Sequence, residues 1–519
     1  ISMVIMFISL SFLLIILVML IFIFMMNQSV LLLSYKVFNV GFFGDLEILI
    51  NIWSFLFLIM VVIISTSVMM FSFSYMSGLF VSNFVFLYIS FVISMLWLIL
   101  NNNFYWMMFG WDGLGVVSFM LIVFYMNHES INNGLFTLFQ NRVGDLFFVL
   151  FILGMVDLVM WNNLVVKWGV LFLIIGACVK SAQFPFNSWL LSAMSAPTPI
   201  SSLVHSSTLV VAGVYILLQF SYCLVDVLEV LKYIMVFSLI LSSLGLLNEN
   251  DMKKLIAYST MSHVSLMMYL LSFKLFKVVY FHLNVHAMFK SLMFMCFGFV
   301  MLSSFHAQDK RLVTLLNLNP LIKMIYYFSC MCLAGLPFLS AFFSKDFIIE
   351  KFMEFSLEIS FIILLMLFLG ISIYYSLKLL KLTNVVYAYS MFEKSYMGLF
   401  GLFSMLIVMV MFINVFITLV FSVTLEFVSF KMSIYLFVIF FLLLSIYTNL
   451  NYKFNVYDKM KNFVEIWSVD FYMLDKFVYW NIFIMLNYMS LLSNVKFFLL
   501  MNWWVLLLVV LVFKVIKAL

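Results

Sequence analysis

Long apolar runs, each interrupted by only a few polar residues, recur along this chain from one end to the other. They fall at about 3–26, 48–74, 79–101, 103–125, 134–160 and 166–183. Others follow at about 200–220, 226–247, 254–273, 277–303, 321–343, 359–382, 396–424, 432–448 and 497–517. Most approach the roughly 20 residues a helix needs to cross a bilayer, and none shows the ~10-residue alternation of a barrel strand. Backbone groups in hydrocarbon are satisfied only inside helices or closed barrels. The pattern therefore predicts an all-α polytopic membrane protein with about 15 transmembrane helices. Residues 27–47 interrupt the series: Asn27, Gln28, Lys36, Asn39, Gly41, Gly44, Asp45 and Glu47 suit a surface hairpin better than a span. The first run is too long for a signal h-region and lacks a basic flank, so a retained span is expected there.

The far end changes character. From Tyr457, apolar residues return at Met460, Val464, Trp467, Phe471, Leu474 and Val478, in steps of three and four. Between them stand Asp458, Lys459, Lys461, Glu465, Asp470, Asp475 and Lys476. This is an amphipathic helix with a narrow apolar stripe, suited to lie along a membrane or against partner helices. The expected organisation is N-terminal transmembrane helices at 1–78, a core at 79–350 and further transmembrane helices at 351–450. A lateral amphipathic helix at 451–496 and a transmembrane anchor at 497–519 complete it.

Composition sharpens the reading. The 519 residues are 67% hydrophobic and 9% charged, with mean hydropathy +1.24, far from the roughly 25% charge of a soluble domain. A net charge of +5, scattered over many loops, leaves no nucleic-acid footprint. Cys178, Cys223, Cys296, Cys330 and Cys332 form no CxxC pair, and the six histidines form no HExxH, so no metal or redox cofactor is expected in this chain. Phe at 65 and Met at 41 are the excess expected of an AT-biased organelle genome.

Against that apolar background the ionisable residues carry the chemistry. A charge at the bilayer centre costs at least ~2.5–3.5 kcal/mol, and such residues mark ion paths and proton relays. Asp112, Arg142, Asp145, Lys180, His205, His282, His286, Lys290 and Lys345 all lie within or beside apolar runs. His282, His286 and Lys290 are spaced i, i+4, i+8 and stack on one helix face, where they can pass protons if water fills the gaps. Arg142 and Asp145 are i, i+3 neighbours suited to pair. Asp112, between glycines in Gly110–Gly115, needs a partner, and Lys180 is the natural candidate. Those glycines lack a following GKS and point to close helix packing. His205 and His263 each have hydroxyl neighbours that can hold water. The chain has only five prolines. Pro185, Pro197 and Pro199 follow Lys180, while Pro320 and Pro337 precede Lys345. Paired helix breaks, each beside a lysine, suggest two inverted repeats around a midplane site.

These residues carry a resemblance. Asn-Arg-Val-Gly-Asp at 141–145, Val-Lys-Ser-Ala-Gln-Phe-Pro-Phe-Asn-Ser-Trp-Leu at 179–190 and Ala-Pro-Thr-Pro-Ile-Ser-Ser-Leu-Val-His at 196–205 are followed by three further motifs. These are Asp-Met-Lys-Lys-Leu-Ile-Ala-Tyr-Ser-Thr at 251–260, His-Ala-Met-Phe-Lys-Ser at 286–291 and Gly-Leu-Pro-Phe-Leu-Ser-Ala-Phe-Phe-Ser-Lys-Asp at 335–346. In this order they resemble the antiporter-like membrane subunits of respiratory complex I, specifically the mitochondrially encoded subunit 5 family.

The resemblance implies two inverted five-helix repeats, each with a broken helix, a C-terminal lateral helix and a final anchor. It implies proton translocation in the mitochondrial inner membrane, driven by NADH oxidation in other subunits that hold FMN, iron–sulfur clusters and ubiquinone. The implied relay is Asp112, Lys180, Lys290 and Lys345, supported by Arg142, Asp145, His205, His263, His282, His286 and Asp346. Neighbouring membrane-arm subunits, reached through the lateral helix, and lipids are the implied partners. A multi-subunit cation/proton antiporter and a purely structural tie of a membrane arm are the alternatives.

Overall fold

The structure is a computed structural model that describes residues 33–39, 45–76, 81–156, 163–221, 228–304, 306–309, 320–335, 339–354 and 359–380. The apolar runs at 3–26, 396–424, 432–448 and 497–517, the amphipathic stretch at 451–496, Cys223 and Pro337 lie outside the described residues.

The interrupted segment forms a hairpin. Strands β1 (Leu33–Asn39) and β2 (Asp45–Ile50) pair antiparallel, with Leu33 opposite Ile50 and Lys36 opposite Glu47. This two-stranded sheet is the hairpin expected at 27–47, with β2 running on to Ile50, and every other described element is helical.

The helices are α1 (Ile52–Tyr75), α2 (Val81–Leu100), α3 (Phe104–Ile122), α4 (His128–Val156), α5 (Asn163–Lys180) and α6 (Ser188–Ser192). A short α7 (Thr198–Ile200) leads through a π-helical stretch, Ser201–Thr208, into α8 (Leu209–Gln219). Then come α9 (Leu228–Asn248), α10 (Met252–Ser272), α11 (Phe276–Ser303), α12 (Pro320–Ala334), α13 (Ser340–Glu354) and α14 (Ile359–Leu380). Among the described residues, eight helices are long and apolar enough to cross a membrane. Their serines rarely leave a hydroxyl idle: Ser67 donates to Ile64 O at 2.8 Å and Ser72 to Met69 O at 2.7 Å, one turn back. That local bond is how a hydroxyl survives in an apolar helix.

Burial separates two kinds of span. The stretch Thr198–Gln219, α10 and α11 are surrounded by protein, whereas α2, α4 and α9 bury only one side. Phe86 and Ile93 on α2, Phe109 on α3, and Leu146 and Leu153 on α4 are exposed, an apolar outer face of the kind hydrocarbon covers. The glycines of Gly110–Gly115 pack helices, as expected. A Cβ at Gly110 would meet Leu98 N at 2.8 Å and Ser94 O at 2.9 Å, so α3 lies directly on the backbone of α2. Gly213 does the same for α8 and α5, where a Cβ would stand 2.6 Å from Ala177 O.

Both lysine-adjacent helix breaks are present. After Lys180, Gln183 N–H reaches back to Cys178 O at 2.9 Å and Ala182 N–H to Val179 O at 3.2 Å. That pair of bonds is a Schellman ending, which needs a left-handed residue at Ala182, and its φ is +53°. At the second break α12 stops at Ala334, and Gly335 takes φ +74° with its N–H on Met331 O and Cys332 O. Helix resumes at Ser340. Glycine adopts this conformation freely, while alanine bears a Cβ clash of roughly 1–2 kcal/mol. Replacing Ala182 with Gly is therefore expected to raise thermal stability by about 1 kcal/mol. Ala182→Val should lower it, as read by heat-induced loss of the detergent-extracted protein.

Candidate functional site

The first cluster gathers on α3, α4 and α5. Arg142 Nη1 lies 3.2 Å from Asp145 Oδ2, the i, i+3 pair expected, and 3.3 Å from Asp112 Oδ2. Lys180, fully buried at the end of α5, stands 3.9 Å from Asp145 Oδ1 and donates to Trp111 O at 3.3 Å. Its ammonium also sits 5.0 Å from the centre of the Trp111 ring. Gly115 makes the room: a Cβ there would come within 3.3 Å of Lys180 Nζ.

This revises the expected pairing. Asp112 faces Arg142, and the carboxylate closest to Lys180 is that of Asp145. The side chains of Asp112 and Arg142 are 34% and 43% exposed, against 7% for Asp145, so the cluster runs from an open ion pair to a buried one. Asp112 comes from α3, Arg142 and Asp145 from α4 and Lys180 from α5, with α4 packed between the other two.

The second cluster is fully buried and joins α10, α11, α13 and α14. His263 Nδ1 lies 3.2 Å from His282 Nε2, and His263 Nε2 lies 3.1 Å from Tyr375 Oη. His282 Nδ1 lies 2.9 Å from Ser344 Oγ. Lys290 donates to Ser259 Oγ on α10, with the Tyr375 ring centre 5.5 Å from its ammonium. The ladder of His282, His286 and Lys290 along α11 is present, but its contacts run differently from the expectation. His282 and His286 have ring centroids 6.4 Å apart, too far for a direct bond, since side chains one turn apart sit ~5–6 Å apart at Cβ. The hydrogen bonds cross between helices instead. His286 packs against His263 and Phe289 at 5.3 and 5.4 Å, and its ring nitrogens have no hydrogen-bond partner among the described residues.

Lys345, in the first turns of α13, donates to Leu333 O at 2.6 Å and to Ser372 Oγ at 3.0 Å. Leu333 O belongs to the open C-terminal end of α12, where carbonyls lack helical partners and a cation is favoured. Its neighbour Asp346 is half-buried on the same helix. A cavity of about 20 Å³, room for about one water, lies between α9, α10 and α14. Ser243, Ser262, His263, Ser372 and Tyr375 line it, so it touches both the histidine cluster and the residue that holds Lys345.

His205 is buried in the π-helical stretch, its ring 6.2 Å from that of Trp189. Among the described residues no hydrogen bond or ion pair joins it to either cluster. The hydroxyls beside it donate within their own helix. Ser207 and Thr208 donate to Leu203 O at 3.0 and 2.8 Å, taking up a carbonyl that the π geometry displaces.

Comparison with known proteins adds the lineage. Residues 101–373, more than half the chain, match the family model described as NADH:quinone oxidoreductase/Mrp antiporter, TM. The chain belongs to this family. It is 37% identical over 348 residues to NADH-ubiquinone oxidoreductase chain 5 of Locusta migratoria, covering 64% of this chain and 61% of that one. With the same-named chain of Anopheles arabiensis it shares 41% identity, over 53% of this chain and 74% of the relative. The chain thus spans about three-fifths of the length of the locust relative. Among solved structures it resembles that of the Mrp complex from Dietzia sp. DQ12-45-1b. There the TM-score is 0.73 at 20% identity, over 94% of this chain and 58% of that one. An archaeal membrane-bound sulfane sulfur reductase gives a TM-score of 0.66 at 18% identity, over 75% and 85% of the two chains.

The family match encloses α3 to most of α14, and with it the first cluster, Lys345 and every member of the second cluster except Tyr375. Sequence reasoning missed Ser259, Ser344, Ser372, Tyr375 and Lys253. The last is buried on α10 and donates to Ala196 O at 3.0 Å. Lys253 was findable, because Lys253-Lys254 begins an apolar run and only Lys254 has an acid, Asp251, one turn away. The serines and Tyr375 offered no signal, since hydroxyls are common throughout these helices.

The two carboxylates of the first cluster should separate on mutation. Asp145→Ala removes the ion-pair partner of a fully buried ammonium, a loss of about 3–5 kcal/mol for a broken buried pair. Asp112→Asn leaves Lys180 and Asp145 together and should cost under about 1 kcal/mol, as an exposed pair does. The amount of heat-stable assembled protein on a native gel measures both, and equal losses would contradict the pairing.

Proposed function

We propose that this chain is a proton-translocating core subunit of the membrane arm of an NADH:ubiquinone oxidoreductase in the mitochondrial inner membrane. The observation that carries the reading is the buried lysine series Lys180, Lys290 and Lys345. Each lies inside an apolar helical bundle and is held by polar groups from a neighbouring helix. The family match and the identity to the chain 5 relatives support the assignment to that oxidoreductase.

In this reading the Arg142–Asp145–Lys180 group, with Asp112 at its open edge, exchanges the proton at one side. Lys290 carries it at the centre through His263 and His282, and Lys345 sits toward the other side. The small cavity bordered by His263, Tyr375 and Ser372 supports a water-linked step between the centre and Lys345. His205 and His286 surround this path rather than form its hydrogen-bonded links, and Asp346 stands next to Lys345. Moving one proton against ~100 mV requires ~2.3 kcal/mol, the scale of a lysine shifted by about two pKa units. The driving charge change must arise in a neighbouring subunit, with FMN, iron–sulfur clusters and ubiquinone in partner chains. Two inverted repeats, about 15 spans and a lateral helix at 451–496 that engages neighbouring pump subunits complete the proposal.

A stand-alone antiporter module is the second reading, favoured by the fold likeness to the Mrp complex structure. Native-gel separation of mildly extracted membranes distinguishes the two. Co-migration of this chain with NADH dehydrogenase activity in a very large complex is expected, and a smaller assembly without that activity would favour the antiporter. Within the complex, Lys290→Met is expected to abolish the proton uptake this chain carries while assembly stays intact. Undiminished uptake would leave only a structural role.

A further inference from the structure

We propose that Tyr375 is a proton-carrying residue that joins Lys290 to His263, so that its hydroxyl and the imidazoles of His263 and His282 exchange their hydrogen bonds as one unit. The inference deepens the relay reading above and rests on it.

The geometry sets a direction. Ser344 Oγ donates its proton to Ala341 O at 3.1 Å, which leaves that oxygen to accept from His282 Nδ1–H. His282 Nε2 must then accept, so His263 Nδ1–H donates to it. His263 Nε2 is left as an acceptor, and the Tyr375 hydroxyl is the donor 3.1 Å away. One hydroxyl orientation at Ser344 thus fixes both ring tautomers and the sense of the tyrosine bond. Lys290 bonds Ser259 and faces Tyr375. Tyr375 is therefore the residue through which the lysine and the histidine pair meet, with its ring face 5.5 Å from the ammonium.

A proton entering from Lys290 balances along this chain without any further reactant. An N–H bond of the ammonium breaks and an O–H forms at Ser259, whose own proton swings from Ile256 O to Tyr375 Oη. The original tyrosine proton passes to His263 Nε2, and the proton on His263 Nδ1 passes to His282 Nε2. The result is a neutral Lys290 amine and an imidazolium at His282, still bonded to Ser344. His286 cannot substitute, because its ring nitrogens engage none of these groups among the described residues. A packing role alone would need only the ring of Tyr375, not the placement of its hydroxyl on His263.

The test uses the complete membrane complex in sealed vesicles, with proton uptake recorded against NADH oxidation. The share of uptake lost in Lys290→Met defines what this chain carries. Tyr375→Phe keeps the buried ring and should slow that share by about a hundredfold, the lower range for a missing proton-transfer group. His263→Gln should do the same, and the double variant should be no slower than either alone, since both cut one wire. A Tyr375→Phe complex that keeps the Lys290-dependent share overturns the role of Tyr375 while leaving the relay standing. Multiplying deficits in the double variant would also overturn it. If Lys290→Met loses no uptake, the relay and this proposal fail together. Should Tyr375→Phe not assemble, Ser259→Ala cuts the preceding link with a smaller change. Its loss of the same share supports the wire, and its retention overturns it.

Discussion

Burying an ammonium inside an apolar helical bundle is the constraint from which the rest of this architecture follows. An intact helix offers only the second lone pair of carbonyls already bonded within it, whereas a helix end leaves carbonyls with no helical partner. A lysine placed there must find a carboxylate, a hydroxyl, an aromatic face, such a spare lone pair or a carbonyl released by a broken helix. Lys180 uses Asp145, Trp111 O and the Trp111 ring, while Lys345 uses the freed end of α12 at Leu333 O. Lys253 takes Ala196 O, in the irregular segment after α6. The helix breaks are thus sources of acceptors, and their left-handed residues, Ala182 and Gly335, stand directly beside the lysines. At Gly335 the proximity is close, because a Cβ there would come 3.0 Å from Lys345 Cδ.

The same demand explains the glycines. Lys180 reaches Trp111 across two helices only because α3 brings Gly115 to the point where its ammonium lies. Gly213 brings α8 against the backbone of α5 near Ala177, one turn before Lys180. Close backbone approach in an apolar medium relies on packing and small residues rather than on a hydrophobic driving force between helices. The outer cluster differs from the inner in one respect that matters for charge movement. Asp112 and Arg142 are partly exposed at its edge, whereas Lys290 and the three histidines are sealed. A charge change outside the chain can act on the first directly, and on the second only through the chain.

Much of this was legible in the sequence, for physical reasons that differ by element. The apolar runs from about 48 to 303 became helices at nearly the expected places because hydrocarbon length and backbone satisfaction leave little choice. The hairpin at β1 and β2 was legible from a loss of apolar character together with glycines. The lysines and histidines announced themselves by their cost. What could not be read was which partner each would take. Asp112 and Asp145 are equivalent on paper, and only the crossing of α3, α4 and α5 decides that Asp145 faces Lys180. Likewise, the i, i+4, i+8 spacing on α11 places three groups on one face, but it does not decide whether they bond one another or groups on other helices. The links had to come from α10, α13 and α14, whose serines and tyrosine look like any other hydroxyls in an apolar helix.

This crossing of helices concentrates control on α14. Ser372 and Tyr375 stand one turn apart on it, the first holding Lys345 and the second bonded to His263. Residues at i, i+3 share a face and move together when a helix shifts. A displacement of α14 would therefore change both bonds together. The helix is tied at its far end by Tyr326 Oη on Leu379 O at 3.2 Å and by Lys378 Nζ on Leu246 O at 3.4 Å. Those ties link it to α12, which ends at the second break, and to α9, which borders the cavity. The connection between the central histidines and the terminal lysine is therefore not a property of either group. It depends on where one helix, anchored to both the break and the cavity wall, comes to rest.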